Sequence, residues 1–118
     1  METHTGSCHC KAVKFEISSI NISEGTYRCD CSLCQKKAIV MKAEHKSHFK
    51  LTAGADELLS YKWNKRIAEH FFCKNCGVYT HHKRRRDPHQ ICINFACLDR
   101  VEMPSERDIG LADGSNHD

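Results

Sequence analysis

Nothing constrains this chain more than the hexapeptide Cys29-Asp30-Cys31-Ser32-Leu33-Cys34, three cysteines in six residues. Two pairs flank it at a distance, Cys8-His9-Cys10 upstream and Cys73-Lys74-Asn75-Cys76 downstream, so most of the nine cysteines fall in three clusters. A chain of 118 residues with 40% hydrophobic content forms one domain with a small core, and such domains need staples. The staples are either disulfides or metal ions. Residues 1–7 lack the apolar run of a secretory leader, and no stretch approaches a membrane span, so a cytoplasmic location is expected. Thiols stay reduced there, and paired cysteines read as metal ligands. The odd cysteine count points the same way. A net charge of +3 does not call for a nucleic-acid partner.

The rest of the chain reads as short strands between turns. Residues 1–7 look like an unstructured lead-in. Val13, Phe15 and Ile17 alternate with Lys14 and Glu16, which predicts a half-buried strand over 12–17. Residues 18–25 read as a turn and 26–28 as a short strand entering the central cluster. Residues 35–37 are polar, 38–41 can form a strand, and 42–48 read as a charged, solvated stretch. Further strands are expected over 49–52, 58–63, 67–72 and 78–82, with the most apolar one over 91–98. Residues 83–88 form a basic loop, and the chain from 112 onward reads as a loose tail. No stretch sustains a helical period, so a mainly β domain held by metal is predicted.

The sulfur arithmetic carries the functional reading. Structural zinc takes four ligands in a tetrahedron. Cys73 and Cys76 supply two, and Cys8 and Cys10 are the other pair, so the four close one site. Cys29, Cys31 and Cys34 are then one ligand short, as in catalytic zinc sites, which keep a position open. The alternatives are a fourth ligand from His9, His81, His82, Cys92 or Cys97, which would make a second closed site, or an iron–sulfur cluster, whose familiar spacings are absent. Three thiolates on a divalent ion leave a net charge near −1. Such an ion is a poor generator of hydroxide and suits a soft ligand, above all a thiolate. The open site would therefore capture a small thiol and present it to a small electrophile such as an aldehyde.

The segments Gly6-Ser7-Cys8-His9-Cys10, Cys29-Asp30-Cys31-Ser32-Leu33-Cys34, Phe72-Cys73-Lys74-Asn75-Cys76-Gly77 and Asn94-Phe95-Ala96-Cys97-Leu98-Asp99 resemble, in order and spacing, the glutathione-dependent formaldehyde-activating (Gfa) family, which includes the centromere protein CENP-V. The resemblance covers about residues 6–99 and implies a β-tent-like, zinc-ribbon-related fold of small coiled sheets. It implies a structural zinc on Cys8, Cys10, Cys73 and Cys76, and a second zinc on Cys29, Cys31 and Cys34. The implied activity joins glutathione and formaldehyde as S-hydroxymethylglutathione and is classed as a carbon–sulfur lyase. The chain departs from many members at Lys11, where they carry Gly, and at Thr80-His81-His82, and it is nearer in length to the short bacterial members.

Outside the cysteines, His81 and His82 lie on one predicted strand and face opposite ways, so one can serve the open site as an acid–base group. Arg84 and Arg85, in the run 83–86, can pair with the carboxylates of a glutathione-like thiol. The same run can remain a solvated loop. Without interleaved aromatics it is a poor nucleic-acid surface. Tyr61 and Trp63 are expected in the core or at a pocket, Cys92 and Cys97 in the core, and His9 at the surface. Asn94 is expected to satisfy backbone groups or to face a cavity. The rival to a thiol-using enzyme is a zinc-stabilised interaction module that meets a protein or nucleic-acid partner.

Overall fold

The hairpin built by the alternation at Phe15 and Ile17 sets the first layer. The computed structural model describes residues 1–63 and 68–115. Strand β2 (Lys14–Ser19) pairs antiparallel with β1 (Glu2–Ser7) on one side and β5 (Phe49–Ala53) on the other, forming a three-stranded sheet. Phe15, Ile17 and Ser19 face inward, as a period of two requires. A second sheet has the order β10-β3-β4-β9-β8-β7-β6, with β3 at Tyr27–Cys29, β4 at Met41–His45, β6 at Leu58–Tyr61, β7 at Glu69–Cys73, β8 at Tyr79–Lys83, β9 at Gln90–Asn94 and β10 at Gly110–Ala112. Neighbours in it run antiparallel except β10 beside β3. Phe15, Ile17, Ile22, Val40, Ile93 and Phe95 fill the core shared by the two sheets. The protein is thus mainly β, as the sequence predicts. Among the described residues no helix is long and apolar enough to cross a membrane.

Four expectations are corrected. Residues 2–7 are a full strand rather than a lead-in: their backbone pairs with β2 along its whole length. Gly6 is required there, because a Cβ would lie 2.9 Å from the Cys97 carbonyl oxygen and press into the Phe15 ring. Residues 32–37 form the one α-helix among the described residues, α1 (Ser32–Lys37), too short to show a period. The charged stretch 42–48 is solvated only in part: His45, Lys46 and Ser47 are exposed, but residues 42–44 are not. It contributes β4, an interior strand, whose Lys42 and Glu44 side chains are 11% and 15% exposed and pair with each other. Ser19 donates a hydrogen bond to Glu44 from the facing sheet. Finally, residues 112–115 are not a loose tail: Ala112 ends β10, which pairs with β3, and the chain continues to the central cysteine cluster.

The strand expected over 91–98 ends earlier. The Asn94 side chain accepts a hydrogen bond from the Ala96 N–H and turns the chain into a 3₁₀ segment, Phe95–Cys97. Asn94 also donates to the Tyr79 carbonyl, so its polar atoms satisfy the backbone as expected. Tyr61 is half exposed at the sheet edge and Trp63 is partly covered. The expected strand starting at Ile67 begins outside the described residues, as do residues 116–118 of the expected tail.

Candidate metal centres

Two tight backbone knuckles face each other at the junction of the sheets. In the first, the Cys8 N–H donates to the Val13 carbonyl, the Lys11 N–H to the Cys8 carbonyl, and the Val13 N–H to Cys8 Sγ at 3.4 Å. In the second, the Cys73 N–H donates to the Val78 carbonyl, the Gly77 N–H to the Cys73 carbonyl, and the Asn75 N–H to Cys73 Sγ at 3.4 Å. Both need a left-handed residue after the second cysteine: Lys11 at φ 67° and Gly77 at φ 76°.

The sulfurs of Cys8, Cys10, Cys73 and Cys76 all lie within 4.8 Å of one another. The separations Cys8–Cys10 and Cys10–Cys73 are each 3.7 Å. A disulfide would need about 2.05 Å. The edge of a tetrahedron with zinc–sulfur bonds of ~2.3 Å is ~3.8 Å, so the donor set fits a four-thiolate metal. Backbone N–H groups of Cys10 and Val78 hold the Cys76 thiol down at about 6, which favours its thiolate.

The second group is Cys29, Cys31 and Cys34, again within 4.8 Å, and no fourth Cys, His, Asp or Glu among the described residues joins it. Cys29 ends β3, Cys31 caps α1, and Cys34 lies one turn on. The Cys34 N–H donates to Cys31 Sγ at 3.3 Å, so one sulfur starts the helix that presents the next. Burial pushes the Cys34 thiol well up without a metal. The C-terminal segment straps over the cluster. Asp30 Oδ1 accepts from the Gly114 and Ser115 N–H groups at 2.7 and 2.8 Å. A Cβ on Gly114 would overlap Cys29 Sγ and sit 2.9 Å from Cys31 Cβ.

Behind the triplet lies a polar layer. The Tyr79 hydroxyl pairs with His70 Nδ1 at 3.0 Å and His82 Nδ1 at 2.5 Å. Lys37 Nζ lies 3.7 Å above the Tyr79 ring and donates to His70 Nδ1 at 3.4 Å. Tyr27 OH pairs with Cys92 Sγ at 2.8 Å. Burial, aided by Lys37, lowers His70 to about 4, and burial lowers His82 well below the ordinary range, so both rings are neutral at pH 7.

His81 and His82 do face opposite ways. His81 is packed 4.7 Å from both Phe49 and Phe71 and pairs with the Thr80 hydroxyl, away from the triplet. Burial lowers it to about 4. His82 joins the polar layer through Tyr79. In the basic loop Arg84 folds inward: it donates to Gln90 Oε1 and stacks 5.3 Å from the Tyr27 ring. Arg85 is half-buried. Cys92 and Cys97 are buried free thiols, and His9 is exposed.

The sequence profile of the family described as glutathione-dependent formaldehyde-activating enzyme matches residues 3–109. The chain belongs to this family. A crystal structure of a Rhodobacter sphaeroides protein superposes with a TM-score of 0.82 at 35% identity, covering 92% of this chain and 99% of the other. The family places this chain among proteins of glutathione-dependent formaldehyde activation, and its two cysteine groups could hold metal ions. Lys37, Tyr79, His70 and Gly114 lie outside the cysteine motifs, and Asp30 lies inside the central one without a role that spacing reveals.

Proposed function

We propose that this family member is a zinc-dependent protein of the carbon–sulfur lyase type, which binds a small glutathione-like thiol and assists formation or cleavage of its adduct with a small aldehyde. The observation that carries the reading is the unequal donor count: four converging sulfurs in one group and three in the other. Cys8, Cys10, Cys73 and Cys76 would hold the structural ion, and Cys29, Cys31 and Cys34 the second. Zinc on the three thiolates supplies a place where a fourth, exogenous thiol is kept as its thiolate nucleophile.

The chain's own residues then bind and orient. The strap over Cys29 and Cys31 leaves one side of the triplet covered by backbone. Tyr79, held between His70 and His82, keeps a hydroxyl fixed in the polar layer, and His82 is the better placed of the two histidines to assist proton movement there. Arg84 and Arg85 serve the thiol's carboxylates, since a guanidinium matches a carboxylate in two-pronged geometry. A reducing compartment such as the cytoplasm suits unpaired thiolates of this kind.

The test measures zinc content beside formaldehyde consumption with and without glutathione. Two zinc ions per chain, falling to one in Cys31→Ser, together with thiol-dependent consumption lost in that variant, support the proposal. One zinc ion in the native chain, or consumption indifferent to thiol, overturns it in favour of an interaction module.

A further inference from the structure

Among the described residues, Lys37 is a cation without an anionic partner. Its side chain is half-buried, and among the described residues its ammonium meets the Tyr79 ring and His70 Nδ1 but no carboxylate. By contrast Lys42, Lys74 and Lys83 each pair with a glutamate. An ammonium taken partly out of water needs compensation. The ring face supplies some through its quadrupole. The negative charge that acts on it comes from sulfur: burial opposes its protonated form, and Cys34, Cys31, Cys29 and Cys92 favour it. Cys34 and Lys37 stand three residues apart on α1, hence on one face of the helix.

Charge arithmetic gives this placement a purpose. A divalent ion on the three thiolates carries about −1, and a fourth thiolate makes it −2. A partly buried −2 centre is costly unless a cation offsets it, whereas a neutral fourth donor, an imidazole or water, needs no such cation. Arg84 stands against the Tyr27 ring and is turned toward Gln90, so it does not duplicate Lys37.

We propose that Lys37 is a specificity-determining residue that makes the Cys29–Cys31–Cys34 site prefer an anionic fourth ligand, a thiolate, over neutral donors. The inference rests on the function proposed above and deepens it by naming the charge class the site selects. The bland alternative is that Lys37 only packs its stem and caps the Tyr79 ring. Lys37→Met keeps the stem and removes the charge, while Lys37→Arg keeps both.

Cobalt(II)-loaded protein provides a reading apart from turnover, because thiolate-to-cobalt absorption reports both the loading of each site and the arrival of another sulfur. The probes are 2-mercaptoethanol, which has no carboxylate for the arginines to hold, and imidazole. The expected result is that Lys37→Met weakens 2-mercaptoethanol binding at least about tenfold, leaves imidazole binding unchanged or tighter, and that Lys37→Arg restores the thiol preference. With cobalt in both sites and the native chain binding the thiol, equal weakening toward both probes, or no change, overturns this inference alone. A native chain that takes one cobalt, or whose second site ignores thiol, overturns it together with the function it rests on.

Discussion

Lys11 and Gly77 occupy matching turns of the two cysteine knuckles, both with positive φ, yet only one of them is glycine. An L-residue in the left-handed region costs roughly 1–2 kcal/mol from the crowding of its Cβ, while glycine costs the chain about 0.5–1 kcal/mol in unfolded-state freedom. The first figure exceeds the second, so Lys11→Gly should stabilise the protein by up to about 1 kcal/mol. Gly77→Ala should destabilise it by a similar amount, for a purely conformational reason, since a Cβ there meets no atom within 4 Å. Denaturant melts of the metal-loaded protein measure both. The prediction fails if Lys11→Gly lowers the midpoint, which would mean that the lysine side chain makes a compensating contact.

At the scale of elements, the strap formed by β10 and residues 113–115 does what no nearby side chain does: it lays backbone against Cys29 and Cys31. Its anchor is Asp30, whose carboxylate takes two N–H groups. Hydrogen bonds to a charged acceptor are each worth about 1.5–3 kcal/mol when protected and less at the surface. Asp30→Ala should free the strap and speed alkylation of Cys29 and Cys31 severalfold, with Cys8 and Cys73 unaffected. Asp30→Asn keeps an accepting oxygen and should stay near the native rate. Mass spectrometry of timed iodoacetamide labelling reads each cysteine separately, and equal rates in the native and Asp30→Ala proteins would show that the strap covers nothing. The same element explains what the sequence could and could not tell. Strands β2, β5 and β9 are legible because their apolar residues alternate or run together where one or both faces are buried. Strands β1, β4 and β10 are not, because their signal is polar: Thr3, Thr5, Lys42, Glu44 and Gly110 hold positions through backbone pairing and ion pairs that only the partner strand makes worthwhile. Helix α1 is set by Cys31 capping, not by periodicity. The convergence of the sulfurs was readable from spacing. The polar layer of Lys37, Tyr79, His70 and His82 was not, because it gathers residues from α1, β7 and β8 that meet only through the sheet order.

The whole molecule is two sheets of different size, and the four-cysteine group joins them. Cys8 and Cys10 follow β1 of the small sheet, while Cys73 and Cys76 close the turn between β7 and β8 of the large one. A buried core is shared, but it is small. Val13, Cys8 and Cys73 form a cluster of their own around the knuckles, separate from the main one. An ion in a four-thiolate site of a small domain contributes folding free energy on the order of 10 kcal/mol, comparable to the whole stability of such a domain. The triplet joins β3 to α1, neighbours in sequence, so an ion there closes only a short loop and contributes little to the fold. Chelation should therefore act in two steps. A moderate chelator should remove one zinc from the triplet with the circular dichroism and melting midpoint nearly unchanged. A strong chelator should remove the second zinc and unfold the protein in the same step, with both signals lost together. The order follows from ligand count, since three protein ligands and an exchangeable fourth release an ion faster than four. Zinc release followed with a colour indicator, beside ellipticity, separates the steps. Unfolding that accompanies the first zinc would assign the structural role to the wrong cluster.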